Sequence, residues 1–581
     1  MSPLSRREFI AAGAAAGAGL VIGFYLPHKG PGREETFAPN AYLKIAPDGK
    51  IMVMLTRSEM GQGVSTSLPM ILAEELEADW KQIVVEQAGA STLYGDQSTG
   101  SASVKSMWDP LRKAGASARE MLISAAAVEW GLPRSACKAE KSTVVHSSSN
   151  RRATYGQLAV KAATLPVPTD PPLKKDAKDY KIVGQRVPRL DTASKVAGTA
   201  AFGIDFRLPG MKHAVLARCP VLGGKVEKFD DHESKKISGV SYVGRISDSA
   251  VAVVADSVWG AMEGRRSLNI TWDEGPNRDL NSAAIYAGLK QSASDKAVTL
   301  YSAGDISKAF GRRVEGEYQL PFMAHAPMEA GNSVAHFRGS ECEIWSPTQV
   351  PQDVRDSVAA AVGLDPDNVK VNITYLGGGF GRRLEHDYAV EAALVSKAIN
   401  GPVQVLWSRE DDMRNSTYRP ASYHRLSAML DGRGWPISFS HRIVMPSINI
   451  QKGFPADNGT DAEVKDEASF TYAFPNAVID YVMTETQPRF RWAGCVRPMR
   501  YRQDSRASLF WTSWRTQADR ILWSCASTCF LKMKTSTAGR PPAFVVCCSS
   551  PRKKGVGASR WRPATIRVSP RLDRLTATWL R

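Results

Sequence analysis

Cysteine is too scarce and too scattered in the first 494 residues to hold a metal or a cluster. Cys137, Cys219 and Cys342 stand alone with no C-x-x-C pair. Neither zinc nor an iron–sulfur centre is expected there, and no metal-ligating residue is assigned. No apolar run reaches the length of a membrane span; the one near the start, 11–26, is Ala/Gly-rich and short. Charge of one sign is missing over most of the chain. Of the net +17, residues 496–581 supply 18 Lys and Arg against 3 Asp, which leaves everything before them almost neutral. A nucleic-acid or anionic surface is therefore not built into the body, and no nucleic-acid partner is expected. The basic tail has no glutamate at all, yet from Cys495 onward it holds five of the eight cysteines and five of the fourteen tryptophans.

What is present is a chain long enough for several domains, with 43% hydrophobic residues. Near its start stands S-R-R-E-F-I at 5–10, ahead of the mildly apolar run. Paired arginines in that setting match a twin-arginine export signal, which carries folded proteins across a membrane. No A-x-A site precedes the Pro/Gly-rich linker at 27–33, so an uncleaved anchor stays open. Export of a folded chain favours a bound cofactor and a periplasmic location.

Residues 42–45 and 50–55 read as a hairpin around the Asp48-Gly49 turn. E-M-G-Q-G-V follows at 59–64, then a run with helical spacing at 68–80. Gly61, Gln62 and Gly63 at a helix entry can present an amide and adjacent N–H groups to ligand oxygens. The same residues serve equally well as a cap with glycines for clearance. The small polar loop at 96–103, with Thr99, Gly100 and Ser101, precedes a helix over 104–122 and alone could be a surface turn. Past a Pro/Lys-rich linker comes a second, α+β unit with strands at 214–217, 250–254 and 268–272 and a helix at 258–266. A third unit begins near Val314. It contains Y-L-G-G-G-F-G-R-R at 375–383, after an alternating strand at 369–373 and before a helix at 387–395. Three consecutive glycines bare the main-chain N–H groups, which can grip a ligand or simply let strand and helix pack closely.

E-M-G-Q-G-V, K-V-A-G-T-A-A-F-G-I-D from Lys195, H-A-P-M-E from His325, W-S-P-T-Q from Trp345, G-G-G-F-G-R-R from Gly377 and W-S-R-E-D-D from Trp407 fall in this order. Together they resemble the molybdopterin-binding subunit of the molybdenum hydroxylases, the xanthine dehydrogenase and aldehyde oxidase superfamily, in its isoquinoline 1-oxidoreductase branch. The resemblance covers about 40–494. It implies an α+β multidomain subunit: signal and linker at 1–33, a cofactor-contacting segment at 34–164, a linker at 165–184, an α/β-hammerhead-like domain at 185–300, the first lobe of the molybdopterin-binding domain at 310–494, and an aberrant tail at 495–581. Implied cofactor contacts are Gly61, Gln62, Gly63, Thr99, Gly100, Ser101, Gly378, Gly379, Phe380, Gly381 and Arg382. The implied cofactor is molybdenum on molybdopterin, as its cytosine dinucleotide, with [2Fe–2S] clusters on a small partner subunit. Substrates would be N-heterocycles or aldehydes, hydroxylated with oxygen from water, and a cytochrome c is a further partner expected as electron acceptor.

The sequence also departs from the family. Met323 stands where xanthine dehydrogenase has a metal-contacting glutamine, His325 reads as a structural or pocket-wall residue, and Arg382-Arg383 replace a Gly-Lys pair. The T-G-S loop has one glycine fewer than usual. The family's catalytic glutamate segment, G-V-G-E, is absent, and Glu59, Glu329 and Glu385 are not its counterparts, so no catalytic residue is assigned. Codons after about Cys495, read from their third base with GC-rich synonyms, turn 511–522 into D-E-L-A-H-A-G-G-P-D-P and give further helical periodicity. The expectation is a frameshift near residue 494, a disordered out-of-frame tail, and an inactive chain. Two alternatives are a noncatalytic scaffold that docks the iron–sulfur subunit and a surface binder using the basic tail.

Overall fold

The computed structural model describes residues 20–24, 40–91, 94, 98–451, 459–468 and 472–484. The export motif at 5–10 and the tail after Cys495 lie outside the described residues, as do Asp96 and Gln97 of the polar loop. Among the described residues, no helix is long and apolar enough to cross a membrane.

The first sheet runs in the order Leu20–Phe24, Asn40–Ile45, Ile51–Leu55, Ile83–Gln87. The expected hairpin forms, with Leu43 opposite Val53 and Gly49 at φ 87 in its turn. Ile51, Val53 and Leu55 alternate inward, as period 2 requires for a strand with one buried face. Two helices lie beside this sheet, Val64–Leu76 and Ser103–Trp130. The second is more than two turns longer than the spacing indicates, because Ala125, Ala126 and Ala127 continue the buried face until Gly131 ends it in the left-handed conformation. The helices touch closely at Gly115, where a Cβ would come 2.3 Å from the Leu72 carbonyl oxygen.

The Pro/Lys-rich linker is pinned by carboxylates of the first helix. Glu74 accepts from the main-chain N–H groups of Lys181, Ile182 and Val183 and from the Lys174 ammonium. Glu75, fully buried, accepts from Lys174 N–H and from Arg112. Its Lys/Pro composition reads as a free spacer, but acceptors about a hundred residues away hold it.

A seven-stranded sheet follows, in the order Val240–Ser247, Ala250–Ala255, Lys212–Arg218, Val403–Leu406, Asn332–Phe337, Cys342–Ser346, Val369–Ile373. Strands of the second and third units thus share one sheet, joined where Val403–Leu406 runs parallel to Lys212–Arg218. Ala250–Ala255 is buried along its whole length, which explains its continuous apolar composition. At the far edge, Cys342–Ser346 and Val369–Ile373 pair in parallel through the helix Pro351–Val362. Parallel strands put their outgoing loops at the same edge of the sheet, so W-S-P-T-Q and the triple-glycine turn emerge side by side. A five-stranded sheet, Val298–Ala303, Asn476–Thr484, Pro436–Pro446, Ser422–Leu430, Arg312–Leu320, and three smaller sheets of two or three strands make up the rest of the described strands.

Candidate cofactor site

The six motifs meet. Leu376 N–H donates to the Glu59 carbonyl at 3.1 Å, which ties the triple-glycine turn to the E-M-G-Q-G loop. A Cβ on Gly379 would lie 2.5 Å from Met60 Sδ and 2.7 Å from Gln349 Oε1, so glycine lets these three segments approach with both side chains left in place. Gln349 of W-S-P-T-Q donates from its main chain to the Arg383 carbonyl at 2.9 Å and from Nε2 to the Ser98 carbonyl at 2.6 Å. Ser98 Oγ in turn accepts from Ser58 N–H at 2.7 Å. The loop carrying Thr99, Gly100 and Ser101 is therefore fastened to both others, with Gly100 and Ser101 exposed at φ 63 and 51.

Glu329 of H-A-P-M-E lies behind the triple-glycine turn. Its Oε2 accepts from Gly377 N–H at 2.8 Å and from Arg383 Nη2 at 3.3 Å, while Oε1 accepts from Ile204 N–H and Asn332 Nδ2, both at 3.0 Å. Ile204 belongs to the K-V-A-G-T-A-A-F-G-I-D segment, whose Ala201 carbonyl also receives Tyr375 N–H. In W-S-R-E-D-D, Arg409 Nη2 donates to the carbonyls of Pro327 and Met328, and the Trp407 ring lies under the guanidinium of Arg382, 5.1 Å from its centroid.

The two turns use their main chain differently. In the first, Glu59 is 2% exposed and accepts from the N–H groups of Gly61, Gly63 and Ser65 at 2.8, 3.0 and 2.9 Å. Burial would raise its pKa, but these bonds outweigh that and hold its carboxyl below the usual glutamate range. Gln62, though exposed, spends its amide on its own loop: Oε1 accepts from Met60 N–H at 2.7 Å and Nε2 donates to the Ser58 carbonyl at 2.8 Å. The N–H groups of Gly61 and Gly63, expected to face ligand oxygens, are thus spent on Glu59. What this turn offers a ligand is room, since nothing lies within 4 Å of a Cβ placed on Gly61. In the second turn only Gly377 N–H is taken by a carboxylate. Among the described residues, the N–H groups of Gly378, Gly379 and Gly381 have no acceptor. Phe380 stands between them at φ 54, 59% exposed, a left-handed conformation uncommon outside glycine.

Arg382 and Arg383 are fully buried. Arg382 clamps both oxygens of Asp387 at 2.9 Å; burial opposes its charge, yet Asp387 raises its pKa above the ordinary arginine value. Its guanidinium is committed beneath the turn, so Arg382 serves by fixing the entry to the helix Asp387–Ile399 and not by reaching out. His325 is buried with Nδ1 3.2 Å from the Thr417 carbonyl, the structural place expected for it. Sequence reasoning missed Ser98, whose bonds span 40 and 251 residues and leave no local signal, and Arg189. Arg189 forks onto Asp191 at 2.9 and 2.8 Å and lies 3.5 Å from Glu59. Lys195 joins the same carboxylate at 2.5 Å, and burial of Asp191 is outweighed by the two cations, which hold it far below the usual range.

Two family models for molybdopterin cofactor-binding domains match the chain, at residues 5–206 and 290–446. The chain belongs to the proteins that carry molybdopterin cofactor-binding domains. It is 31% identical over 484 residues to the beta chain of isoquinoline 1-oxidoreductase from Brevundimonas diminuta, covering 73% of this chain and 62% of that protein. It is 30% identical to a membrane-bound aldehyde dehydrogenase (pyrroloquinoline-quinone) from Gluconacetobacter polyoxogenes over 78% of this chain and 61% of that one. With one of the polypeptides of nicotinate dehydrogenase from Pseudomonas putida it shares 27% over 64% of this chain and 32% of the other. The chain thus spans a little over three fifths of the length of the first two of these relatives.

The residues present fit such a cofactor. Unpaired N–H groups on the second turn supply donors, and the open face of Gly61 supplies room. Both cofactor-binding models take in one of the two turns.

Proposed function

We propose that this chain is the molybdopterin-holding subunit of an oxidoreductase that hydroxylates N-heterocycles or aldehydes with oxygen from water. The observation that supports this most is the contact between the two turns, Leu376 N–H to the Glu59 carbonyl at 3.1 Å, which makes one site of motifs 317 residues apart. When bound, the molybdenum–pterin group supplies the two-electron redox chemistry. The chain's part is to hold and orient. Gly378, Gly379 and Gly381 present donors where negative charge collects. Phe380 and Met328, 59% and 90% exposed, give an apolar rim that a planar substrate can lie against.

Both buried carboxylates at the turns, Glu59 and Glu329, are filled by N–H donors, and neither is assigned a catalytic role. On this reading the chain by itself binds cofactor without turnover. Electrons leave to [2Fe–2S] clusters on a small partner subunit and onward to a cytochrome c, the cofactor is the cytosine dinucleotide form, and twin-arginine export places the complex in the periplasm. The test is purification of the chain with its small subunit, followed by molybdenum and pterin analysis and by assay on a quinoline-type heterocycle and an aromatic aldehyde in ¹⁸O-water. About one molybdenum per chain is expected. A chain free of molybdenum and pterin when expressed with its partner in a molybdenum-replete host would end the reading.

A further inference from the structure

Arg189 is the feature of the site that the motifs do not explain. Its Nε and Nη2 are fixed by the carboxylate of Asp191, which is 3% exposed and further held by Lys195. A guanidinium forked in this way loses little freedom on binding a second acceptor, and its remaining Nη1 edge has a set direction. That edge faces the first turn: a Cβ on Gly63 would lie 3.8 Å from both Arg189 Cζ and Nη1. Among the described residues Nη1 has no acceptor, and the space over neighbouring Gly61 is open. The second carboxylate beside Arg189, Glu59, is already filled by three main-chain N–H groups and lies 3.5 Å from Nη2. Of the other arginines of the site, Arg382 and Arg383 are buried and turned to Asp387 and Glu329, and Arg409 donates to the carbonyls of Pro327 and Met328.

Resting on the function proposed above, we infer that Arg189 is the anion-binding residue of the first turn, its Nη1 edge donating to a phosphate oxygen of the pterin cofactor. Molybdopterin carries phosphate, and the first turn has already used the N–H groups of Gly61 and Gly63, so the donor there is a side chain. The second turn binds by main chain and the first by this one cation.

The test compares wild type with Arg189→Gln and Arg189→Lys, each checked for an unchanged Tm. Pterin content is measured after oxidation to its fluorescent form, and the cofactor-free chain is titrated with inorganic pyrophosphate at two salt concentrations. Arg189→Gln is expected to lower pterin content and pyrophosphate affinity tenfold or more. Arg189→Lys should retain an intermediate, salt-sensitive affinity, since the charge remains and the fork is lost. If Arg189→Gln does not fold, the lysine variant decides: wild-type affinity with unchanged salt dependence overturns the assignment. Unchanged pterin content and pyrophosphate binding in Arg189→Gln overturn it as well. A wild-type chain without pterin would sink the function proposed above, and the pyrophosphate titration would still decide the role of Arg189.

Discussion

The two glycine turns of the site are built on the same idea and stabilised from opposite directions. In the first, the anchoring carboxylate is local: Glu59 accepts from residues two, four and six positions ahead of it. In the second, the anchor comes from another part of the chain, since Glu329 is 48 residues before the Gly377 N–H it holds. The first turn consumes its own donors and becomes a rigid wall. The second is propped from behind and keeps three glycine N–H groups for something else. A local anchor makes a turn that survives on its own; a distant one makes a turn that exists only when the sheet and the segment around Ile204 are in place.

The sharpest way to break this comparison is Glu329→Ala. It leaves the buried Arg383 without its carboxylate, strands Gly377 N–H and Ile204 N–H, and leaves the Asn332 amide only its bond to the Ala330 carbonyl. Removing one partner of a buried ion pair costs about 3–5 kcal/mol. Chemical denaturation should show that loss, and hydrogen exchange should rise across 376–384 and 201–205 while 59–65 keeps its protection. Equal loosening of both turns would contradict the distinction.

That asymmetry also decides what the sequence made legible. The strand Val369–Ile373, the glycines after it and the helix beginning at Asp387 follow from local pattern, and each stands where the pattern puts it. So do the hairpin around Gly49 and the helix Val258–Arg266. Local pattern could not show that Arg382 and Arg383 point inward, because their partners Asp387 and Glu329 matter only after the chain folds back. Nor could it show that the linker is pinned, since Glu74 and Glu75 read as the polar face of a helix until Lys174 and Val183 arrive to use them. The glycines told where a ligand could approach; which N–H groups remained for it depended on carboxylates whose reach has no sequence period.

A smaller effect is expected from Gly379→Ala, which tests the contact between the turns. The new methyl meets Met60 Sδ at 2.5 Å and Gln349 Oε1 at 2.7 Å, both ends of flexible side chains that can give way. Overpacking of this kind costs about 1–3 kcal/mol. Cofactor content should fall more than stability does, because the displaced groups line the site; an unchanged pterin content would mean that the two turns do not act together.

Acid separates the turns without mutation. Glu59 has its pKa lowered in the folded chain, so its stabilisation is complete above the ordinary glutamate value of 4.5 and is lost as pH falls through the depressed folded value. The groups facing it are the guanidinium of Arg189 and the N–H donors of its own loop, with Asp191 behind Arg189 and depressed in the same direction. Hydrogen exchange of 59–65, corrected for intrinsic rate, should therefore accelerate between pH 5 and pH 3 in a chain that still gives native circular dichroism. Flat protection over that range would show that the carboxylate does not hold the loop.

The smallest effect belongs to Gly61→Ala, and it isolates conformation from contact. Nothing lies within 4 Å of the added Cβ, so no clash can arise, but Gly61 sits at φ 107, outside the range that an alanine adopts comfortably. The penalty is about 1 kcal/mol of backbone strain, partly resisted by the Glu59 bond to Gly61 N–H. If the open face of Gly61 is where the cofactor lies, the methyl will lower pterin content well beyond what the strain alone does to Tm. A variant with a lowered Tm and a full complement of pterin would put the ligand elsewhere, and would leave the first turn as a wall whose glycines serve only its own glutamate.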